Sequence, residues 1–341
     1  MQLLGKYFFS RKIDLLAFTT FIPVYLLYCL FFETSFVTLP PQPPFWFFIL
    51  GWTLVDGSHV YSTLLVSYGD KDMFQQLKIV FIGVPIILLI SAFTFMYSGS
   101  PALFFYFLAY LAMIHFIRQE FGWMKIATRF DSRAPSWLMN LDKVTAYAMT
   151  ILPMMWFMRK TQRGFWYQKG DLLAIPDNIA ELAMTLYWPV VGIFLIANIH
   201  HSLKTKTINL SKYLVFINTF FGWYMAKVHV QNTYLAVWLM IFHHGIPYYF
   251  IVFKTERVSK KIEWFSRLGK FKYPALYLSF ATIFYFFLMA HSGNSYVVEL
   301  AKNPFMQALI YAIAVTPQMT HFILDGFIWK KKYGLVGKVG R

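Results

Sequence analysis

Long apolar segments recur along nearly the whole 341-residue chain, and they constrain the fold more than any motif does. Ten of them approach the ~20 residues that a helix needs to cross the hydrocarbon core of a bilayer. Only 13% of the residues are charged, against ~25% in soluble domains. The sequence therefore predicts an all-α fold, a polytopic transmembrane helix bundle. The predicted spans are 13–33, 44–67, 77–98, 100–120, 141–158, 179–201, 209–228, 232–253, 273–290 and 305–329.

The basic residues orient this bundle. With the N-terminus inside, 25 of the 31 Lys and Arg residues fall in cytoplasmic segments and 6 in outer segments. By the positive-inside rule, this asymmetry predicts that the N- and C-termini are both cytoplasmic. The net charge of +16 comes from basic residues distributed over six cytoplasmic segments. Such a distribution predicts attraction to anionic membrane lipids. It does not form the single basic face that nucleic acid would need, so no nucleic-acid partner is expected. The whole chain, 1–341, is expected to form a single integral membrane domain.

Six of the nine histidines fall inside or at the cytoplasmic ends of predicted spans, at similar depth. At ~1.5 Å per residue, the depths of four of them agree within roughly 6 Å. One intramembrane histidine is often an interhelical hydrogen-bond donor, but ionisable groups are costly in a bilayer and a whole layer indicates a functional site. His200 and His201 lie at the inner end of span 179–201, and we interpret them as residues of the solvated membrane interface. His229 and His291 lie at the outer ends of their spans. The four at common depth are His59, His115, His244 and His321.

Two carboxylates accompany these histidines at helical spacing. Asp56 lies three residues before His59, and Asp325 lies four residues after His321, so each pair shares a helical face. Such a carboxylate can be a metal ligand or an acceptor that fixes the imidazole tautomer. Because Cys29 is the one cysteine, a thiolate cluster is excluded and a metal would be bound by nitrogen and oxygen.

Neighbouring positions supply further candidates. Adjacent His243 and His244 point about 100° apart on a helix, so one of them is expected to face the centre. Arg118 shares the side of the helix that carries His115 and could balance a bound anion or a lipid head group. Glu120 is rotated about 140° from His115 and is placed outside the ligand set.

Three segments resemble the intramembrane histidine motifs of the bacterial Brp/Blh-type β-carotene dioxygenases. They are Met113-Ile-His-Phe, the stretch 241–254 that begins Ile-Phe-His-His-Gly-Ile-Pro, and the stretch 317–330 that contains Thr-His-Phe-Ile-Leu-Asp-Gly. An early histidine with a nearby acid precedes them, as His59 and Asp56 do. That family consists of small all-helical membrane proteins that hold a non-haem iron on histidines and cleave a polyene with O₂.

The resemblance implies His59, His115 and His244 as iron ligands. Tyr248 stands where that pattern has a second histidine one turn after the third ligand. The fourth position is then left to His321, His243 or a carboxylate.

Together these features predict a histidine-ligated, metal-dependent oxygenase or oxidoreductase of a bacterial-type inner membrane. Its substrate would be a hydrophobic, lipid-like or polyene molecule that enters from the bilayer, and its metal Fe²⁺, with zinc as the alternative. A transporter or proton relay, or a haem-binding electron carrier, remains an alternative use of the same histidines. The predicted metal ligands are His59, His115, His243, His244 and His321, and the predicted catalytic residues are Asp56, Asp325, Arg118 and Tyr248.

Overall fold

The computed structural model describes residues 4–8, 10–32, 49–129, 131, 133–159, 172–230, 233–254 and 302–330. These residues are mostly helical, which confirms the predicted all-α class. A short strand β1 (Leu4–Lys6) pairs in parallel with β2 (Thr207–Asn209). The predicted span 273–290 lies outside the described residues.

The described helices follow one another along the chain, and two of them are π-helical, with i to i+5 hydrogen bonding. They are α1 (Arg11–Thr19), α2 (Phe21–Phe32), π1 (Ile49–Gly57), α3 (Ser58–Gly69), α4 (Lys71–Gln76), α5 (Lys78–Tyr97), α6 (Pro101–Thr128), α7 (Ser136–Met158), α8 (Asp177–Thr205), α9 (Leu210–Thr219), π2 (Phe220–His229), α10 (Thr233–Lys254) and α11 (Pro304–Ile328).

Local sequence signals set several of these boundaries. Gly99 adopts a left-handed backbone (φ 75°) in the turn between α5 and α6, where the sequence is Ser-Gly-Ser-Pro. The side chain of Asn303 caps α11 by accepting hydrogen bonds from the next backbone amides, and Pro304 occupies the first helical position. Within predicted span 13–33, Thr20 separates α1 from α2 and keeps right-handed helical backbone angles (φ −58°, ψ −28°).

Within the part of the chain that the structure describes, four helical stretches are long and apolar enough to cross a membrane: Lys78–Tyr97, Ala102–Thr128, Asp177–Thr205 and Leu235–Val252. The first has a mean hydropathy of 2.6. Its isoleucines face outward, with Ile79 88% and Ile87 63% exposed. Continuous apolar surface of this kind suits lipid and not water, so the chain has the make-up of a membrane protein.

The described residues pack into two compact units. The first, here called the α7–α8 unit, contains α1, α2, α6 from Phe116 onward, α7 to α9, π2 and α10 as far as Phe250. Within it α7 packs along α8 and against π2, while α1 packs on α9. The buried carboxylate of Asp14 accepts hydrogen bonds from the Phe8 amide (2.5 Å) and the Ser211 hydroxyl (2.9 Å), which ties the N-terminal segment to α9.

The second unit, here called the α11 unit, contains π1, α3, α4, α5, α6 as far as His115, and α11. In this unit α11 packs along α5 and against α3. Its core contains Ala92 of α5, Phe104 of α6, and Ala312 and Met319 of α11. The two alanines present little side chain, which lets α5 and α11 approach closely.

Candidate metal centre

Four of the five histidines predicted as metal ligands approach one another. His59, His115, His244 and His321 are all buried, and each offers one ring nitrogen within 4.8 Å of the others. Four buried histidines this close together could hold a metal ion. Neutral imidazole is a ligand that suits iron, zinc, copper and nickel.

Three of these histidines belong to the α11 unit, and their rings are in contact. His59 stands at the start of α3, His115 on α6 and His321 on α11. The ring of His321 meets the ring of His59 at 4.2 Å and that of His115 at 4.5 Å between centroids, both edge to face. The Nε2 atoms of His115 and His321 are 3.1 Å apart, which is hydrogen-bond distance when one of them carries a hydrogen. Two nitrogens bound to one ion at ~2.0–2.1 Å with an angle of ~95–110° would be ~3.0–3.4 Å apart, so this spacing suits shared coordination.

Hydrogen bonds fix how His321 presents its ring. Its Nδ1 lies 2.7 Å from the hydroxyl of Thr63 on α3, and that hydroxyl donates to Asp325 Oδ1 at 2.9 Å. The direct separation of Nδ1 from Asp325 Oδ1 is 3.7 Å, which is too long for a hydrogen bond. Asp325 is therefore on the predicted face of the helix but contacts His321 through Thr63.

A backbone hydrogen bond orients the ring of His59 in the same way, through its Nδ1 atom. Its Nδ1 lies 3.1 Å from the carbonyl oxygen of Asp56, which is in the last turn of π1. A carbonyl only accepts, so Nδ1 carries the hydrogen and the Nε2 lone pair points to the other side of the ring. The Asp56 carboxylate is farther away, 3.9 Å from the same nitrogen. The His115 ring packs on Phe322 at 4.8 Å and hydrogen bonds to its backbone.

His244 is described within the α7–α8 unit, on α10. Its ring meets that of Phe116 edge to face, with 4.4 Å between centroids. Its carbonyl oxygen accepts a hydrogen bond from Gln119 Nε2 at 3.3 Å. Both contacts come from α6, at positions one and four residues beyond His115.

His243 points to a different group and is not one of the four. Its Nε2 lies 3.3 Å from Glu120 Oε1, and its Nδ1 lies 3.0 Å from the Leu239 carbonyl. Glu120 also accepts a hydrogen bond from the Thr219 hydroxyl at 2.6 Å. A Cβ on Gly222 of π2 would overlap the His243 ring, so glycine leaves the room that this ring occupies.

The remaining predicted residues are placed separately. Arg118 is exposed, donates to the Tyr147 hydroxyl at 3.3 Å and lies over the Phe121 ring. Tyr248 is buried on α10. His200 and His229 are exposed, and His291 lies outside the described residues.

A second buried polar group was missed by sequence reasoning, and it is here called the Lys212 cluster. Lys212 Nζ lies 2.9 Å from Asp131 Oδ2, 2.7 Å from Asp142 Oδ2 and 2.9 Å from Asn198 Oδ1, which engages all three of its hydrogens. His201 Nε2 approaches Asp131 Oδ1 at 3.3 Å. The available signal was the presence of Lys212 and Asp142 inside predicted spans, since charges there are costly unless paired.

No known protein family matches the chain, and searches of curated proteins and of solved structures also found no match.

Proposed function

We propose that the protein is a metal-dependent oxidoreductase of the membrane, an oxygenase that holds iron on histidines. Its substrate is a hydrophobic, lipid-like or polyene molecule that arrives through the bilayer. The observation that carries this proposal is the convergence of His59, His115 and His321. In His59 and His321 a hydrogen bond at Nδ1 leaves Nε2 available as a ligand. The resemblance to the Brp/Blh-type dioxygenases supports the choice of iron over zinc.

The residues of the chain supply the binding and the surroundings of such an ion. His59, His115 and His321 donate ring nitrogens, and His244 is the fourth member of the group. Fe²⁺ bound by nitrogen ligands with an open position supplies activation of O₂. The burial of all four side chains excludes water, which protects reactive species from hydrolysis and proton leakage. The exposed guanidinium of Arg118 is suited to hold a polar head group at the membrane surface.

We propose further that the whole chain is one integral membrane domain with ten spans and both termini in the cytoplasm. The asymmetry of 25 against 6 basic residues supports this topology. A bacterial-type inner membrane is the proposed location, because it agrees with the family that the histidine motifs resemble.

Metal analysis of the detergent-purified protein tests the proposal. We expect about one iron per chain in the wild type, loss of the metal in His115→Ala, and retention in His229→Ala, a matched control at an exposed position. Metal near zero in all three proteins would refute the metalloenzyme. A Soret band would identify the haem carrier instead, and one zinc per chain would favour a hydrolytic reaction.

Catalysis needs a separate measurement. Iron-loaded wild-type protein should bleach a polyene such as β-carotene in detergent only when O₂ is present, and His115→Ala should not. Bound iron without O₂ uptake on any polyene or lipid extract would refute the oxygenase assignment and leave a metal-binding protein.

A further inference from the structure

We propose that Thr63 is a positioning residue of the metal centre, which connects Asp325 to His321 and fixes the tautomer in which His321 presents Nε2. This inference rests on the proposed function and goes beyond it by assigning a role to a residue that is neither ionisable nor a ligand. It rests on the hydrogen bonds between α3 and α11.

The direction of these hydrogen bonds follows from counting hydrogens. A hydroxyl has one hydrogen to donate and two lone pairs, and a carboxylate only accepts. Since the Thr63 hydroxyl donates to Asp325 Oδ1 at 2.9 Å, its contact of 2.7 Å with His321 Nδ1 is a bond in which the imidazole N–H donates. Nε2 then keeps its lone pair, and Nε2 is the atom that lies 3.1 Å from Nε2 of His115.

The side chain of Thr63 is well suited to this task. In a helix, branching at Cβ leaves threonine two main χ1 rotamers, and here the hydroxyl takes the one that faces α11. Thr316 on α11 and Ser62 on α3 close their hydroxyls on the carbonyl four residues earlier in their own helices, whereas Thr63 reaches across to another helix. Thr63 and His321 are completely buried. The carboxylate, 3.7 Å from the ring, acts on His321 through this hydroxyl.

A purely structural tie between α3 and α11 would use the same contacts, so the test must separate the two roles. Thr63→Val keeps the shape and removes the oxygen, and Thr63→Ser keeps the oxygen and removes a methyl group. Thr316→Val is the matched control, because it removes a hydroxyl of α11 that bonds its own helix.

The first readout is metal affinity, measured by competition with a chelator. We expect Thr63→Val to weaken it by ~10 to 100-fold, as loss of such supporting partners does elsewhere, while Thr63→Ser and Thr316→Val stay near wild type. Asp325→Leu should weaken it as much as Thr63→Val, and the double variant should be no worse than either, because both changes break one chain of hydrogen bonds. Additive losses would refute the relay.

The second readout does not need the metal. In metal-free protein with ¹⁵N-labelled histidine, wild-type His321 should show a protonated Nδ1, and Thr63→Val should give a mixture of tautomers or the opposite one. An unchanged Nδ1 signal in Thr63→Val overturns the inference even if the protein binds iron. Conversely, loss of the Nδ1 signal in Thr63→Val, together with no bound metal in the wild-type protein, would support the role of Thr63 in positioning His321. That result would refute only the proposed function.

Discussion

Replacing Lys212 by methionine should strongly destabilise the protein. The ammonium of Lys212 is bonded to the carboxylates of Asp131 and Asp142 and to the Asn198 amide oxygen, at 2.7 to 2.9 Å. Methionine fills a similar volume but leaves two buried carboxylates without their cation. Breaking a buried ion pair by removing one partner costs about 3–5 kcal/mol, and we expect a loss in that range.

Thermal unfolding in detergent, followed by circular dichroism at one scan rate, measures this loss. A change of 1 kcal/mol shifts the Tm of a domain of 150–250 residues by ~2–4 °C, so Lys212→Met should lower it by roughly 6–20 °C. Lys143→Met is the control, because Lys143 is exposed on α7 and an exposed charge contributes ~0–1 kcal/mol.

A compensating variant tests the physical reason. Lys212→Met combined with Asp131→Asn and Asp142→Asn should regain most of the lost stability, because no buried charge is then left uncompensated. If Lys212→Met alone melts within about 1 °C of the wild type, which is a fraction of a kcal/mol on the same scale, the Lys212 cluster does not stabilise the α7–α8 unit.

Three further outcomes follow from single positions. Gly222→Ala should destabilise the protein by about 1–3 kcal/mol, because the added Cβ would overlap the His243 ring. Gly192→Ala is the control and should be tolerated, since a Cβ there would meet nothing within 4 Å. Thermal unfolding of the two variants compares them. Asp56→Asn should retain metal in a chelator competition, since the backbone carbonyl makes the bond to His59; a loss as large as that of a ligand variant would contradict this. A reporter fused after Arg341 should show a cytoplasmic location, and an external signal would overturn the ten-span topology.

The histidine group could be anticipated because a helix has a fixed rise. Depth in the bilayer follows from counting residues along a span, and it selected the layer that contains His59, His115, His244 and His321, although it left His243 in the same layer. The same counting placed Asp325 near His321. It could not find the hydroxyl that joins them, because Thr63 lies 258 positions away in the chain and nothing in its own neighbourhood marks it.

The π-helices and the Lys212 cluster were unpredictable for a different reason. Hydropathy reports that residues 44–67 and 209–228 are apolar, but the hydrogen-bond register within a helix depends on packing, so π1 and π2 leave no pattern in composition. Charges inside spans were visible, yet their partners were not. Asp131 lies in the connection between α6 and α7, a segment that the ten predicted spans place outside the membrane.

The carboxylates stand behind the histidines rather than among them. Asp56 and Asp325 lie 3.9 and 3.7 Å from Nδ1 of His59 and His321, on the side of each ring opposite Nε2. The imidazole ring separates each carboxylate from Nε2, so neither carboxylate would occupy a coordination position of an ion held there. Positions of such an ion that histidine nitrogens do not take would be left for a substrate or O₂.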